Sequence, residues 1–135
     1  MNAYTATKQN KKVDAQSAIM EASPHQLVAM LISGAISRLT TAKGCMQRED
    51  IAGKGEQIGK GMDIITGLQS SLDMEAGGDI SAQLDSLYDY MIRRLMQASI
   101  NSDIAAVDEV VGLLREIKGG WDNIPAELHY LSNQK

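Results

Sequence analysis

The segment Asp79–Ile100, DISAQLDSLYDYMIRRLMQASI, carries the most regular hydrophobic pattern in the chain. Its apolar residues recur at steps of three and four, which is the period of an amphipathic helix. Gly77 and Gly78 precede the segment and predict a break from any earlier helix. Asp79 suits the N-cap, where its carboxylate accepts a backbone N–H bond. The pattern therefore predicts one long helix around which other helices pack.

This predicted helix has more apolar surface than a single core stripe needs. At about 100° per residue, one set of side chains points in a common direction. That set comprises Leu84, Leu87, Met91, Leu95 and Ala98. Tyr88, Ile92 and Met96 lie to one side of it. The flank indicates either a partner surface or simply a broad bundle core.

A second helix start lies at Ser23-Pro24-His25-Gln26. Ser23 suits the N-cap, Pro24 the first helical position and Gln26 the capping box. The stripe that follows predicts a core of Leu27, Leu31, Ala35, Leu39, Ala42 and Met46. Ile32 and Ile36 fall outside the stripe, and His25 is expected at the surface of the first turn.

A third helix is predicted over residues 51–72, with Asp50 as its N-cap. Its stripe consists of Ile51, Ile58, Met62, Ile65, Leu68 and Leu72, with Ile64 on the flank. The interior glycines each cost on the order of 0.5–1 kcal/mol relative to alanine. They either let another helix approach closely or leave the segment weak. Residues 73–78 are predicted to form a loop.

The last predicted helix follows Asn101, with Ser102 or Asp103 as its cap. Its apolar residues are Ile104, Val107, Val110, Val111, Leu114, Ile117 and Trp121, with Leu113 to one side. Gly119 and Gly120 predict fraying before the helix stops near Pro125.

Four such helices with short loops predict an all-α fold, an antiparallel up-and-down four-helix bundle with a short N-terminal helical segment. The 135 residues fit one domain. We expect a mobile N-terminal tail over residues 1–12, the bundle over 13–124 and a C-terminal tail over 125–135. Cys45, the single cysteine, is expected in the core and excludes an intramolecular disulfide.

Composition excludes several classes of function. The net charge of −4 argues against nucleic-acid binding. No apolar run approaches the roughly 18 residues that span a membrane, so we predict no stable membrane insertion and a cytoplasmic location. His25 and His129 have no ligand-spaced partner, and the glycine run 53–61 fits no nucleotide-binding motif. No metal, cofactor or catalytic residue is therefore predicted.

Two sequence blocks resemble a known family. The first is Ala22-Ser23-Pro24-His25-Gln26-Leu27, followed by Met30-Leu31 and Gly34-Ala35. The second is Gly77-Gly78-Asp79-Ile80, then Leu84 and Leu87-Tyr88-Asp89-Tyr90-Met91-Ile92-Arg93-Arg94-Leu95. With Gly112-Leu113-Leu114 and Trp121, the chain resembles the flagellin-specific export chaperones of the FliS family from about Val13 to Ile124.

The resemblance implies a helical bundle without enzymatic activity that binds the C-terminal segment of flagellin. It also implies protection from premature polymerisation, delivery to the flagellar type III export apparatus, and contacts with the export gate and the flagellar anti-sigma factor. The candidate flagellin groove comprises Ile32, Ile36, Ile64, Leu68, Tyr88, Ile92, Met96 and Leu113. Candidate N-terminal gate or partner contacts are Tyr4, Ile19 and Met20.

Two other functions are compatible with a small acidic bundle. One is a histidine-phosphotransfer signalling protein, which needs an exposed histidine in the middle of a helix. The other is a structural homo-oligomer whose apolar flanks pair with one another.

Overall fold

The computed structural model describes residues 23–123, which form four α-helices. The helices are α1 (Pro24–Gln47), α2 (Ile51–Ser70), α3 (Met74–Asn101) and α4 (Ile104–Asp122). Helix α1 packs against α2 and α4, and α3 packs against the same two helices. Because each connection has only two or three residues, successive helices run antiparallel. The predicted all-α four-helix bundle is confirmed. The N-terminal helical segment and the tails at 1–12 and 125–135 lie outside the described residues.

Side chains cap the helix starts much as the sequence predicts. The Ser23 hydroxyl accepts from the Gln26 N–H at 3.1 Å, and the Gln26 side chain accepts in return from the Ser23 N–H at 2.8 Å. The Asp50 carboxylate accepts from the N–H of Gly53 at 3.0 Å. At the last helix, the cap is Asp103. Each bond satisfies a backbone donor that the first turn of a helix leaves unpaired.

The start of α3 differs from the prediction. The helix begins at Met74, where the Asp73 carboxylate accepts from the Ala76 N–H at 2.9 Å, rather than after Asp79. The predicted glycine break is present but lies inside the element, at Gly78 (φ 52°, ψ −127°). A positive φ of this kind suits glycine, which has no β-carbon to clash. The buried Ser81 hydroxyl donates to the Asp73 carbonyl at 3.0 Å and ties the two sides of this kink together.

His25 is buried rather than at the surface, and it stacks on Trp121 of α4. The two ring centroids lie 4.6 Å apart with an interplanar angle of 11°. His25 Nε2 donates to the Trp121 carbonyl at 2.8 Å, and Trp121 Nε1 donates to the His25 carbonyl at 2.9 Å. The pair, called here the His25–Trp121 clasp, joins the first turn of α1 to the last turn of α4.

The clasp explains an error in the predicted core of α1. With His25 facing inward, the steps of three and four that follow select Val28 and Ile32, and both are buried. Leu27 is only half-buried and Leu31 is exposed, contrary to the prediction. From residue 35 onward the predicted and observed core positions agree.

The remaining core residues largely follow the predicted pattern. On α4, five of the seven predicted core residues are buried, whereas Ile104 and Ile117 are half-buried; Cys45 is buried on α1. Helix α4 continues through Gly119 and Gly120 to Asp122 rather than fraying. The prediction is wrong at Ile51, which is exposed beside the α1–α2 turn.

Candidate functional site

An apolar groove runs between α2 and α3 near the end of the bundle that holds the α3–α4 turn. It encloses about 260 Å³. The lining residues are Gly55, Ile58, Gly59, Met62, Met96, Ser99 and Ile100. Met96 is 50% exposed and Ile100 is 80% exposed, whereas Ile58 is buried and forms part of the floor. Exposed apolar side chains grouped around a depression are typical of interaction sites. We call this feature the α2–α3 groove.

The glycines of α2 have two different roles. A β-carbon added at Gly61 would lie 2.8 Å from Leu39 Cδ2, so this glycine allows α1 to approach α2 closely. A β-carbon at Gly55 or Gly59 would meet no atom within 4 Å. These two glycines lie one turn apart and leave the backbone of α2 bare along the groove. Gly61 is therefore needed for close packing of α1 on α2, whereas Gly55 and Gly59 leave the α2 wall of the groove without side chains.

Three of the predicted groove residues belong to the core instead. Ile32, Leu68 and Tyr88 are almost completely buried. The bundle core is broader than one narrow stripe, so residues beside the predicted stripe still face inward. In the chain without a partner these three side chains are core residues, and their contact with flagellin stays a prediction. Burial also raises the pKa of Tyr88 to about 12, because the charged phenolate would lose its hydration.

The other predicted groove residues are distributed over all four helices. Ile36, Ile64, Ile92 and Leu113 are partly buried against the core. Ile64 approaches Gly34 of α1, since its Cδ1 would lie 3.7 Å from a β-carbon there. Only Met96 among the predicted set lines the α2–α3 groove. The candidate N-terminal contacts Tyr4, Ile19 and Met20 lie outside the described residues.

Several residues of the groove are absent from the predicted set. The sequence left two interpretations open for Gly55 and Gly59, close approach of another helix or a weak helix, and it predicted Ile100 as the end of a helix. The available signal was their spacing, because Gly55, Gly59 and Met62 recur at steps of four and three on one side of α2. Glycines in such a row mark a place where another backbone can approach.

A second cavity lies beside the groove and encloses about 450 Å³. It is lined by Met46, Glu49, Asp50, Ile51, Lys54 and Ser102. Lys54 is only 9% exposed, and its Nζ donates to the Ser102 hydroxyl at 2.8 Å. Ser102 has a left-handed backbone (φ 51°) where α3 ends. The cavity thus places the ammonium group of Lys54 between the start of α2 and the end of α3, with the carboxylates of Glu49 and Asp50 in the same lining.

The acidic side chains of α3 have structural partners. The Gln69 amide donates to the Asp85 carboxylate at 3.0 Å and to the Asp89 carboxylate at 2.7 Å, which links α2 to α3. On the opposite seam, Glu109 of α4 accepts from the Tyr90 hydroxyl at 2.5 Å and from Arg94 Nε at 2.8 Å. These two bonds lower the pKa of Glu109, and the bond from Tyr90 has the larger effect. The same contact raises the pKa of Tyr90.

The Glu109 contacts predict a pH-dependent stability. The folded protein holds the pKa of Glu109 below its ordinary value of 4.5, so the stabilisation is fully present above that value. It is lost as the pH falls through the lowered pKa of the folded state. Glu109→Gln is therefore expected to melt at a lower temperature than the wild type at pH 7, with the difference vanishing in acid. Thermal unfolding by circular dichroism from neutral to acidic pH measures this difference in melting temperature.

Glu116→Gln, an exposed change on the same helix, is the control. A difference that stays constant with pH contradicts the assignment.

Residues 23–123 contain no group of three or more His, Cys, Asp or Glu side chains that could hold a metal ion. Nor does any helix in this range have the length and apolar character needed to cross a membrane.

Comparison with known proteins identifies the family. Residues 6–128 match the family described as Flagellar protein FliS. The Flagellar secretion chaperone FliS of Vibrio cholerae is 48% identical over 122 residues, which cover 90% of both chains. That of Salmonella typhimurium is 47% identical over 124 residues, 90% of this chain and 92% of the relative. The Flagellar secretion chaperone FliSB of Pseudomonas aeruginosa is 45% identical over 124 residues, 92% and 98% of the two chains. The chain belongs to the FliS family of flagellar secretion chaperones.

Proposed function

We propose that this protein binds the C-terminal segment of flagellin in the cytoplasm, prevents its premature polymerisation and assists its delivery to the flagellar type III export apparatus. Family membership supports a chaperone role in flagellar export. The observation that supports the finer proposal is the α2–α3 groove, a depression between two helices with exposed apolar side chains. The role is that of a stoichiometric binding protein rather than an enzyme.

The groove chemistry suits an amphipathic helical client. A helix can lay its apolar face into a hydrophobic groove between two bundle helices. Gly55 and Gly59 let the client backbone come close, since no side chains stand in the way. Met62 and Met96 are flexible and polarisable, so they adapt to different client side chains. Ordering a disordered client costs about 2–5 kcal/mol or more, and this apolar contact offsets part of that cost.

The proposal also includes two further partners that the family resemblance implies, the export gate and the flagellar anti-sigma factor. The α2–α3 groove supports flagellin binding in particular, because flagellin is the partner expected to present an apolar helix face. The histidine-phosphotransfer alternative is disfavoured, because His25 is buried in the clasp at the first turn of α1. His129 lies outside the described residues.

Filling the groove is expected to block the client without damaging the fold. Gly59→Leu places a side chain in the open space beside Met62 and Met96, and it replaces a poor helix former with a good one. We expect at least about tenfold weaker binding of a flagellin C-terminal peptide in isothermal titration calorimetry, equivalent to about 1.4 kcal/mol. Gly67→Leu is the matched control, because Gly67 is also open to solvent on α2 but does not line the groove.

Introducing a negative charge into the groove tests flagellin-peptide binding in a second way. Met96→Asp is compared with Met30→Asp, since the two methionines have similar exposed fractions, 50% and 43%. Only the change at Met96 should weaken binding. The groove assignment is excluded if both variants bind like the wild type, and the proposed function itself fails if the wild type shows no saturable binding. Light scattering of the free protein checks the homo-oligomer alternative, which requires a dimer or larger species.

A further inference from the structure

The methionines of the bundle differ in their access to solvent. Met30, Met74 and Met96 are exposed, whereas Met46 and Met91 are buried. A dissolved oxidant reaches exposed thioethers far more readily than buried ones, so the first three are the candidates for oxidation. Two of these three lie away from the α2–α3 groove, and only Met96 belongs to its lining. Oxidation of the folded protein would therefore change the groove while the methionines of the core stay intact.

The surroundings of Met96 are almost entirely apolar. The groove consists of aliphatic side chains, the half-buried Met62 and the bare backbone of two glycines. Of the described lining residues, Ser99 alone has a polar side chain. A polar group at position 96 is hydrated while the groove is empty, but it would lose that water when an apolar helix face covers it. The binding of a client is thus more sensitive to polarity at Met96 than the fold of the free protein is.

Oxidation of a thioether introduces such a polar group. Hydrogen peroxide transfers one oxygen atom to the methionine sulfur, which loses two electrons, and the peroxide itself is reduced to water. The product is methionine sulfoxide, an uncharged side chain with a polar S=O bond and a new stereocentre at sulfur. Its oxygen accepts hydrogen bonds, which the apolar face of a docked helix does not offer.

We propose that Met96 is a reversible modification site, at which oxidation by hydrogen peroxide to the sulfoxide weakens client binding in the α2–α3 groove. Methionine sulfoxide reductases reverse the change: the sulfoxide oxygen leaves as water while a dithiol is oxidised to a disulfide. This inference rests on the proposed flagellin binding and adds a chemical control of the same site. Because the sulfoxide stays hydrated in the empty groove, the modification acts on the complex and leaves the bundle folded.

The first experiment measures oxidation in the unaltered full chain. The wild type is treated with dilute hydrogen peroxide, with and without a saturating flagellin C-terminal peptide, and peptide mass spectrometry follows the sulfoxide fraction at each methionine. Bound peptide should slow the oxidation of Met96 several-fold and leave that of Met30 and Met74 unchanged. The inference is overturned if Met96 resists oxidation in the free protein, or if saturating peptide does not protect it.

The second experiment measures affinity before and after oxidation. The wild type, Met96→Leu and Met30→Leu are oxidised, the peroxide is removed, and untreated peptide is titrated into each by isothermal titration calorimetry. Leucine has a volume and apolar character close to those of methionine but no oxidisable sulfur. Each variant is compared with its own untreated form. Oxidation should weaken binding about tenfold or more in the wild type and in Met30→Leu, and hardly at all in Met96→Leu.

Treatment of the oxidised wild type with reductases for both sulfoxide epimers and a dithiol should restore its affinity. A loss of affinity that persists in Met96→Leu overturns the inference, as does unchanged binding by wild type that is fully oxidised at Met96. Loss of helical circular dichroism on oxidation overturns it as well, because the effect would then lie in the fold. If the untreated wild type shows no saturable binding, the proposed function itself fails.

Discussion

Trp121→Ala is expected to lower the free energy of unfolding by about 3–5 kcal/mol, the range for removal of a buried tryptophan side chain. The loss combines a cavity at the end of α4, the stacking on His25 and the hydrogen bond from Nε1 to the His25 carbonyl. The His25 carbonyl would lose the indole N–H and keep only the backbone N–H four residues on in α1. Urea denaturation followed by far-ultraviolet circular dichroism measures the change, because Trp121 is the only tryptophan and fluorescence would disappear with it.

Trp121→Phe separates the two parts of this effect. Phenylalanine keeps an aromatic ring on His25 but removes the N–H donor, so we expect a smaller loss of about 1–3 kcal/mol. Equal stability of the wild type and Trp121→Ala would show that the clasp does not hold the bundle closed.

Gly61→Leu is expected to destabilise the bundle by about 1–3 kcal/mol, whereas the same change two residues earlier, Gly59→Leu, should stabilise it slightly. The β-carbon at position 61 would lie 2.8 Å from Leu39 Cδ2 and 3.1 Å from its Cγ. Leu39 is fully buried, so its side chain has little room to move away. The new side chain would therefore push α1 from α2.

Equilibrium unfolding of Gly61→Leu and Gly59→Leu under identical conditions measures this contrast. Both variants gain the same helix propensity, so their difference reports the packing environment alone. Similar stabilities of the two variants would contradict the close approach of α1 at Gly61. The comparison also checks that Gly59→Leu, used above to block the groove, remains folded.

Local sequence chemistry was sufficient to predict the helices. Capping side chains act on their own backbone within a few residues, so Ser23 and Asp50 could be assigned without knowledge of the fold, and the last cap could be narrowed to Ser102 or Asp103. Errors arose where a distant residue changes the role of a local one. His25 looked like a surface residue until Trp121 supplied a stacking partner from the other end of the bundle. The inward turn of Val28 and Ile32 follows from that contact.

The candidate site was harder to predict than the fold. Apolar residues beside a stripe can thicken the core or face a partner, and periodicity alone does not separate these outcomes. Tyr88 and Ile32 joined the core, while Met96 stayed exposed. Gly55 and Gly59 shape the groove because they have no side chains, so a pattern of apolar side chains does not reveal them. The contact of Lys54 with Ser102 could not be predicted, because it joins residues 48 positions apart.

The His25–Trp121 clasp also bears on the order of folding. It joins residues 96 positions apart, whereas the α1–α2 and α3–α4 pairs are hairpins closed by a few residues. Closing a long loop costs more chain entropy than closing a short one, so the hairpins are expected to form before the clasp. A contact made after the transition state affects the unfolding rate rather than the folding rate. Trp121 substitutions should therefore shorten the lifetime of the folded bundle while leaving its rate of formation nearly unchanged.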